Sequence, residues 1–270
     1  MKEIKPQNVI LKTLFSALVI GAKLLFRKPK SIIITVAIFL FSFSNNGLTK
    51  PGEVILQFSS PGPCPQGLAW DGEYLWVADD STDTIYKLNP LDGTVIHSFA
   101  SPGSKPRGLA WGNSHLWSLD DSDKKIFELD PTTGHQMSSL EAPIIVLKKG
   151  ASPLGGLAWG GQNLWSGVIA GWSSKMNRLD MSDGSVKTFH YTKGVPRALA
   201  SDGRFLWSAT DNRGHNFGTI YKYNLSNGIY VSHIKTPGYY PTGLAFDGQH
   251  IWCGDKETKT IYKFELKEER

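Results

Sequence analysis

The chain has 270 residues, 40% hydrophobic and 20% charged, with two cysteines and a formal net charge of +5. That balance fits a globular chain with a core and excludes disordered, collagenous and disulfide-stapled classes. The excess charge does not argue for nucleic acid, because Lys2, Lys5, Lys12, Lys23, Arg27, Lys28 and Lys30 face only Glu3 within residues 1–30, and the rest of the chain carries 22 basic against 23 acidic residues.

In residues 1–30 the polar positions Lys5, Lys12, Ser16 and Lys23 fall at spacings of 7, 4 and 7, one stripe of a partly amphipathic helix suited to the inner membrane surface. A start codon chosen too far upstream is the other reading. Residues 31–44 hold an apolar run, Ile32 to Phe43, behind the cluster Arg27, Lys28 and Lys30 and ahead of Ser44, Asn45 and Asn46. That order is the order of an export signal, cleaved or kept as an anchor, and its core of about twelve residues is short for a span needing roughly 20. Either way the chain beyond the linker 45–52 is expected to be periplasmic or extracellular, with membrane contact confined to the N-terminal segment.

From residue 53 to 268 one unit repeats. Gly67-Leu68-Ala69-Trp70 returns at Gly108 to Trp111 and Gly156 to Trp159, and in worn form at Ala198 to Ser201 and Gly243 to Phe246, with intervals of 41, 48, 42 and 45 residues between the leucines. Each copy continues to a second marker, Leu75-Trp76, Leu116-Trp117, Leu164-Trp165, Leu206-Trp207 and Ile251-Trp252, and then to a third, Ile85 to Leu88 and its counterparts. These are short β-branched and aromatic words bounded by turn formers, so they read as strands A, B and C of a four-stranded blade, with Asp71-Gly72 and its counterparts as tight hairpins. The last copy lacks a strand D, and Val54 to Phe58 can supply it. The expectation is an all-β, five-bladed β-propeller closed by its N-terminal strand, with six blades as the alternative count. The five B-strand tryptophans recur at one position and are expected to pack between blades.

The repeat, with the look P-x-G-L-A-W-D-G-x-x-L-W-V-A-D, resembles bacterial propeller repeats of the NHL and YVTN type. Gln66-Gly67-Leu68 is also similar to the opening of the five-bladed glutaminyl cyclotransferases. That second resemblance implies peptide cyclisation with an acid assisting loss of ammonia. The acidic E-S-T-G-like segment of that family is here Val77-Ala78-Asp79-Asp80, so its motif is not reproduced.

Propeller geometry gathers the D-to-A and B-to-C connections on one face, where ligands are expected. Gln66, Arg107, Gly155, Arg197 and Thr242 stand just before the A strands at this rim. Two arginines about 8 Å apart would repel by roughly 2 kcal/mol at an effective dielectric near 20, so an anion or a carboxylate is expected nearby. The same rim carries Asp79, Asp120, Val168, Thr210 and Asp255 behind the B strands. These aspartates could hold the following turn, join an anion site, or supply the acid of a cyclotransferase. A rim or structural calcium needs six or more oxygens, which one Asp per blade does not bring together, and no cofactor is expected.

Longer B-to-C connections in blades three and four add Trp172 and the set Asn212, Arg213 and His215, while Tyr239 and Tyr240 lie in the last D-to-A loop. Gln66, Arg107, Arg197, Thr242, Asp79, Asp120, Asp255, Trp172, His215, Tyr239 and Tyr240 form the candidate site. Cys64 and Cys253 fall in blades that ring closure makes neighbours, and an exported protein permits a bridge there. The expected function is a monomeric, exported scaffold binding a protein or a small, possibly anionic, ligand without catalysis. A cyclotransferase-like enzyme and a metal-dependent lyase or lactonase are the alternatives.

Overall fold

The computed structural model describes residues 52–266 apart from 145, 148–149, 152–153, 170–173 and 212–216. Among them every regular element is a strand. Blade one is β2 (Pro65–Trp70), β3 (Leu75–Asp79), β4 (Thr84–Leu88) and β5 (Val95–Ala100). Blade two is β6 (Pro106–Gly112), β7 (His115–Asp120), β8 (Lys125–Leu129) and β9 (Gln136–Glu141). After a two-stranded ribbon, β10 (Val146–Leu147) with β11 (Gly150–Ala151), comes blade three: β12 (Leu154–Gly160), β13 (Asn163–Val168), β14 (Lys175–Leu179) and β15 (Val186–Tyr191). Blade four is β16 (Ala198–Ser201), β17 (Phe205–Thr210), β18 (Thr219–Asn224) and β19 (Tyr230–Lys235), and blade five is β20 (Pro241–Phe246), β21 (His250–Asp255) and β22 (Thr260–Glu265) with β1 (Val54–Ser59) outermost. The count is five.

Closure is as the sequence suggests. β1 pairs antiparallel with β22, Gln57 opposite Tyr262 and Phe58 opposite Ile261, so the chain's start completes its last sheet and leaves no gap in the ring. The A strands line a narrow axial channel of about 50 Å³ walled by the repeated Leu-Ala-Trp words. They pack backbone to backbone: a Cβ on Gly67 would lie 2.3 Å from the Leu109 amide nitrogen, and one on Gly156 would lie 2.2 Å from that of Leu199. Glycine opens the tetrapeptide because adjacent strands approach too closely for any side chain.

Core formation follows from the B strands. Trp76, Trp117, Trp165, Trp207 and Trp252 are all buried, at 0 to 4% exposure. At roughly 25 cal/mol per Å² and about 200 Å² each, burial of one such ring stabilises by up to about 5 kcal/mol. In blades one and five an outer-strand phenylalanine lies against this ring, Phe99 on Trp76 at 5.8 Å and Phe58 on Trp252 at 5.9 Å.

The A-to-B hairpins differ from the single type expected. In blades one, four and five an aspartate opens a four-residue turn and caps it: Asp71 accepts the amides of Glu73 and Tyr74, Asp202 those of Arg204 and Phe205, and Asp247 those of Gln249 and His250. Blades two and three lack that aspartate and use two-residue turns with both residues left-handed, Asn113 and Ser114 (φ 53° and 64°) and Gly161 and Gln162 (φ 58° and 62°). Without a side chain to hold the longer turn, the tight hairpin matching the strand twist takes over.

Candidate functional site

At the D-to-A rim blades one, two, three and five open with a local bulge, as between Pro65 and Leu68 and between Pro106 and Gly108. Directly above it, the aspartate ending each B strand closes a latch. Asp79 takes the Cys64 amide at 2.6 Å through one oxygen and the Ser81 and Thr82 amides at 3.0 Å through the other. Asp120 does the same with Lys105, Ser122 and Asp123, and Asp255 with Tyr240, Glu257 and Thr258. Thr210 substitutes in blade four, accepting the Val195 amide at 2.9 Å. Gly62, Gly103 and Gly238 lie so close over these carboxylates that a Cβ there would approach within 2.4 Å. All three aspartates are 0% exposed. Their oxygens tie two loops together and do not reach the surface.

The residues on the A side find different carboxylates, one position further along. Arg197 pairs with Asp211, its Nη2 donating to one oxygen at 2.9 Å and its Nε lying 2.9 Å from the other, and its guanidinium lies over the Tyr240 ring at 4.7 Å. Arg107 faces Asp121 at 3.7 Å, and Asp121 also pairs with Lys124 and accepts the Leu154 amide at 3.1 Å. Gln66 donates to Asp80 at 2.8 Å. The spacing is always 14 residues: Gln66 to Asp80, Arg107 to Asp121, Arg197 to Asp211 and, in blade five, Thr242 to Lys256. The expected offset for the two arginines is therefore built into their own blades. Asp80, Asp121, Asp211 and Lys256 escape notice in the sequence because each follows directly on a residue of the latch column, Asp79, Asp120, Thr210 or Asp255. The constant interval of 14 was the signal that could have found them.

Blade five breaks the charge pattern. Thr242 is buried and donates to the Pro65 carbonyl of blade one at 2.7 Å, and Lys256 interacts with Cys64 and Asp80 of that neighbour. Burial disfavours the Lys256 ammonium, yet the Cys64 thiol and the Asp80 carboxylate outweigh it and raise its pKa. Burial and Asp80 push the Cys64 thiol upward too, which keeps it protonated and a poor nucleophile. Cys64 and Cys253 are both buried free thiols. Blade three carries no charge at either column, with Gly155 and Ile169 where the others have polar pairs.

Tyr239 is exposed at this face, and Tyr240 is held against Arg197. Trp172 and His215, with Asn212 and Arg213, lie outside the described residues, as do the leader 1–30, the export segment 31–44 and most of the linker 45–52. Among the described residues no three His, Cys, Asp or Glu side chains gather as a metal set, and no helix is long and apolar enough to cross a membrane.

Ring and rim together define a five-bladed β-propeller with one face crowned by paired charges. No protein-family model matches the sequence, and no curated protein matches it. Among solved structures it is similar to the glutaminyl cyclase of Myxococcus xanthus, with a TM-score of 0.62 and 12% identity over 78% of this chain and 94% of that one. It is also similar to the hydrazine synthase of Kuenenia stuttgartiensis (TM-score 0.46, 14% identity, 73% of this chain and 56% of that one) and to a β-propeller domain of Myceliophteria thermophila (0.48, 10%, 80% and 100%). The chain thus spans little more than half of the hydrazine synthase chain. At 12% identity what this chain shares with the glutaminyl cyclase is the fold.

Proposed function

We propose that this propeller, of the NHL and YVTN type by its repeat, is an exported binding scaffold that takes a small polar ligand or a peptide end at its charged rim. One observation carries the reading: the arginines and their partners form salt bridges that are only partly covered, with the Arg107 side chain 27% exposed and that of Arg197 13% exposed. Such pairs can trade a carboxylate partner for a ligand's while their charge stays balanced. The uncharged sector at Gly155 and Ile169 gives the same ligand an apolar side to lie against.

The burial of the three latch aspartates favours binding over catalysis. A cyclotransferase needs a proton donor within hydrogen-bond reach of the departing amide nitrogen. Asp79, Asp120 and Asp255 are the acids the sequence offered, and each is spent on backbone amides below the surface. The likeness to glutaminyl cyclase keeps a direct assay worthwhile. Incubation with a glutamine-initiated peptide should give no ammonia above background, while calorimetry with the same peptide should show saturable binding that Arg107→Ala with Arg197→Ala removes. Steady ammonia release would reverse the assignment, and binding untouched by the double variant would move the site away from the rim.

A further inference from the structure

The opposite face, where the A-to-B and C-to-D turns meet, carries a second and independent feature. In blades one and five each C-strand lysine is neutralised by the turn aspartate of its own blade, Lys87 by Asp71 at 3.3 Å and Lys263 by Asp247 at 3.0 Å. The same aspartates accept the indole N–H of Trp76 and Trp252 at 2.8 and 2.9 Å. Blade two exchanges the arrangement as a set: the aspartate is Gly112, the cation is Glu128, and Glu128 pairs with His115 at 2.8 Å.

Blade three changes only half of it. Gly160 stands where the aspartate should be, yet the cation remains as Arg178, opposite Trp165 in the ladder. The Trp165 indole turns to the Gly160 carbonyl at 3.2 Å, and the buried Arg178 Nε has no hydrogen-bond partner among the described residues. The outer-strand phenylalanine of blades one and five is His190 here, stacked on Trp165 at 5.2 Å with Nε2 donating to the Leu225 carbonyl. The neighbouring blade completes the change. Trp159 of blade three covers Gly112 of blade two and stacks on Trp117, whereas the equivalent residue over Gly160 is Ser201. Beside this corner lies a cavity of about 420 Å³ between blades three and four, with Gly160, Trp165 and Arg178 in its wall and Arg204 at its mouth. No carboxylate lines it.

We propose that this cavity is a binding site for a small organic anion bearing a carboxylate or phosphate head, read by Arg178 and Arg204. The cavity has the size of a small-ligand pocket, its two guanidinium groups are the side chains suited to planar oxyanions, and Asn163, Thr188 and Ser226 add neutral hydrogen-bonding groups. The Trp165 and His190 rings offer a flat wall to the body of the ligand. A buried guanidinium nitrogen without a partner is costly, and in blades one and five the repeat shows what meets the equivalent cation: a carboxylate.

Calorimetric titration of the full chain with inorganic phosphate, phenyl phosphate and benzoate, at constant ionic strength, tests this. At least one should bind saturably at one site per chain, and Arg178→Gln should weaken it by at least about tenfold, the usual effect of removing a charge-assisted contact. Arg204→Gln, on an exposed residue whose loss leaves the core intact, should weaken it by a few fold. Preference for phenyl phosphate or for benzoate tells whether a phosphate or a carboxylate is the natural head, and either result supports the site. Arg107→Gln at the far rim should leave all three affinities unchanged. No saturable binding at about 10 mM of any probe, far weaker than a two-arginine site should give, would overturn the proposal. So would binding that survives both Arg178→Gln and Arg204→Gln.

Discussion

Blades two and three have both lost the turn aspartate, and their corners answer in opposite ways. Blade two also exchanged its cation for Glu128 and receives an indole from its neighbour, so the corner is filled and its charges are paired. Blade three kept its cation and receives only Ser201, so the corner is hollow and positive. The lesson concerns what a propeller repeat is. Charge at a corner is set within one blade, by turn and C strand, but packing there is set by the A-strand end of the next blade. The cavity lies at the one corner among the described residues where both lapse together.

The intact corners of blades one and five show what the aspartate contributes, and removing it should have the largest effect. Asp247 accepts two turn amides and one indole N–H and pairs with Lys263. Asp247→Ala should cost about 3 kcal/mol, because it strands a buried donor and a half-buried ammonium together. A fall of less than about 1 kcal/mol in urea denaturation would mean that blade five can relax to the tight turn of blade three.

Acid should act on the same corners. Burial opposes ionisation of Asp71 and Asp247, but the turn amides, the Trp76 indole for Asp71 and the lysines outweigh it, so both pKa values lie below the usual 3.8. A carboxyl depressed on folding contributes stability at pH above its unfolded value and loses that contribution as pH falls through the folded one. Stability should therefore be flat from these groups above about pH 4 and decline below it. The double variant Asp71→Asn, Asp247→Asn should begin less stable and show a shallower acid slope. An unchanged slope would place the acid-sensitive groups elsewhere.

Much of this architecture was legible because it is carried by repetition. The tryptophan markers, the five modules and the role of Val54 to Phe58 follow from spacing and strand character alone. The turns were less legible, since Gly112-Asn113 and Gly160-Gly161 look as suited to a hairpin as Asp71-Gly72. Only the hydrogen bonds of the aspartate show that it builds a longer turn. At the rim, Asp79 and Asp120 end their strands and turn to backbone amides as latches, while Asp80 and Asp121 open the turns that follow and meet the rim side chains. The sequence offers both members of each pair, and the constant interval of 14 from the rim residue is its one pointer to the second. The hollow corner was visible as three worn positions, Gly160, His190 and Ser201, but they lie far apart in the chain and only ring adjacency brings them together.

The smallest expected effect is also the most discriminating. Lys87 and Arg178 occupy equivalent ladder positions, opposite Trp76 and Trp165, and each could be replaced by methionine with its apolar stem largely preserved. Lys87→Met removes the partner of Asp71 and should cost about 0.5 to 1 kcal/mol, since the pair is partly exposed. Arg178→Met removes a cation whose buried nitrogen has nothing to bond, so in the absence of anion its urea midpoint should stay level or rise slightly at unchanged slope. The difference of sign follows from one carboxylate, present over Lys87 and missing over Arg178. Equal losses in the two variants would show that blade three has found another partner for its arginine, and the contrast between the corners would then rest on shape alone.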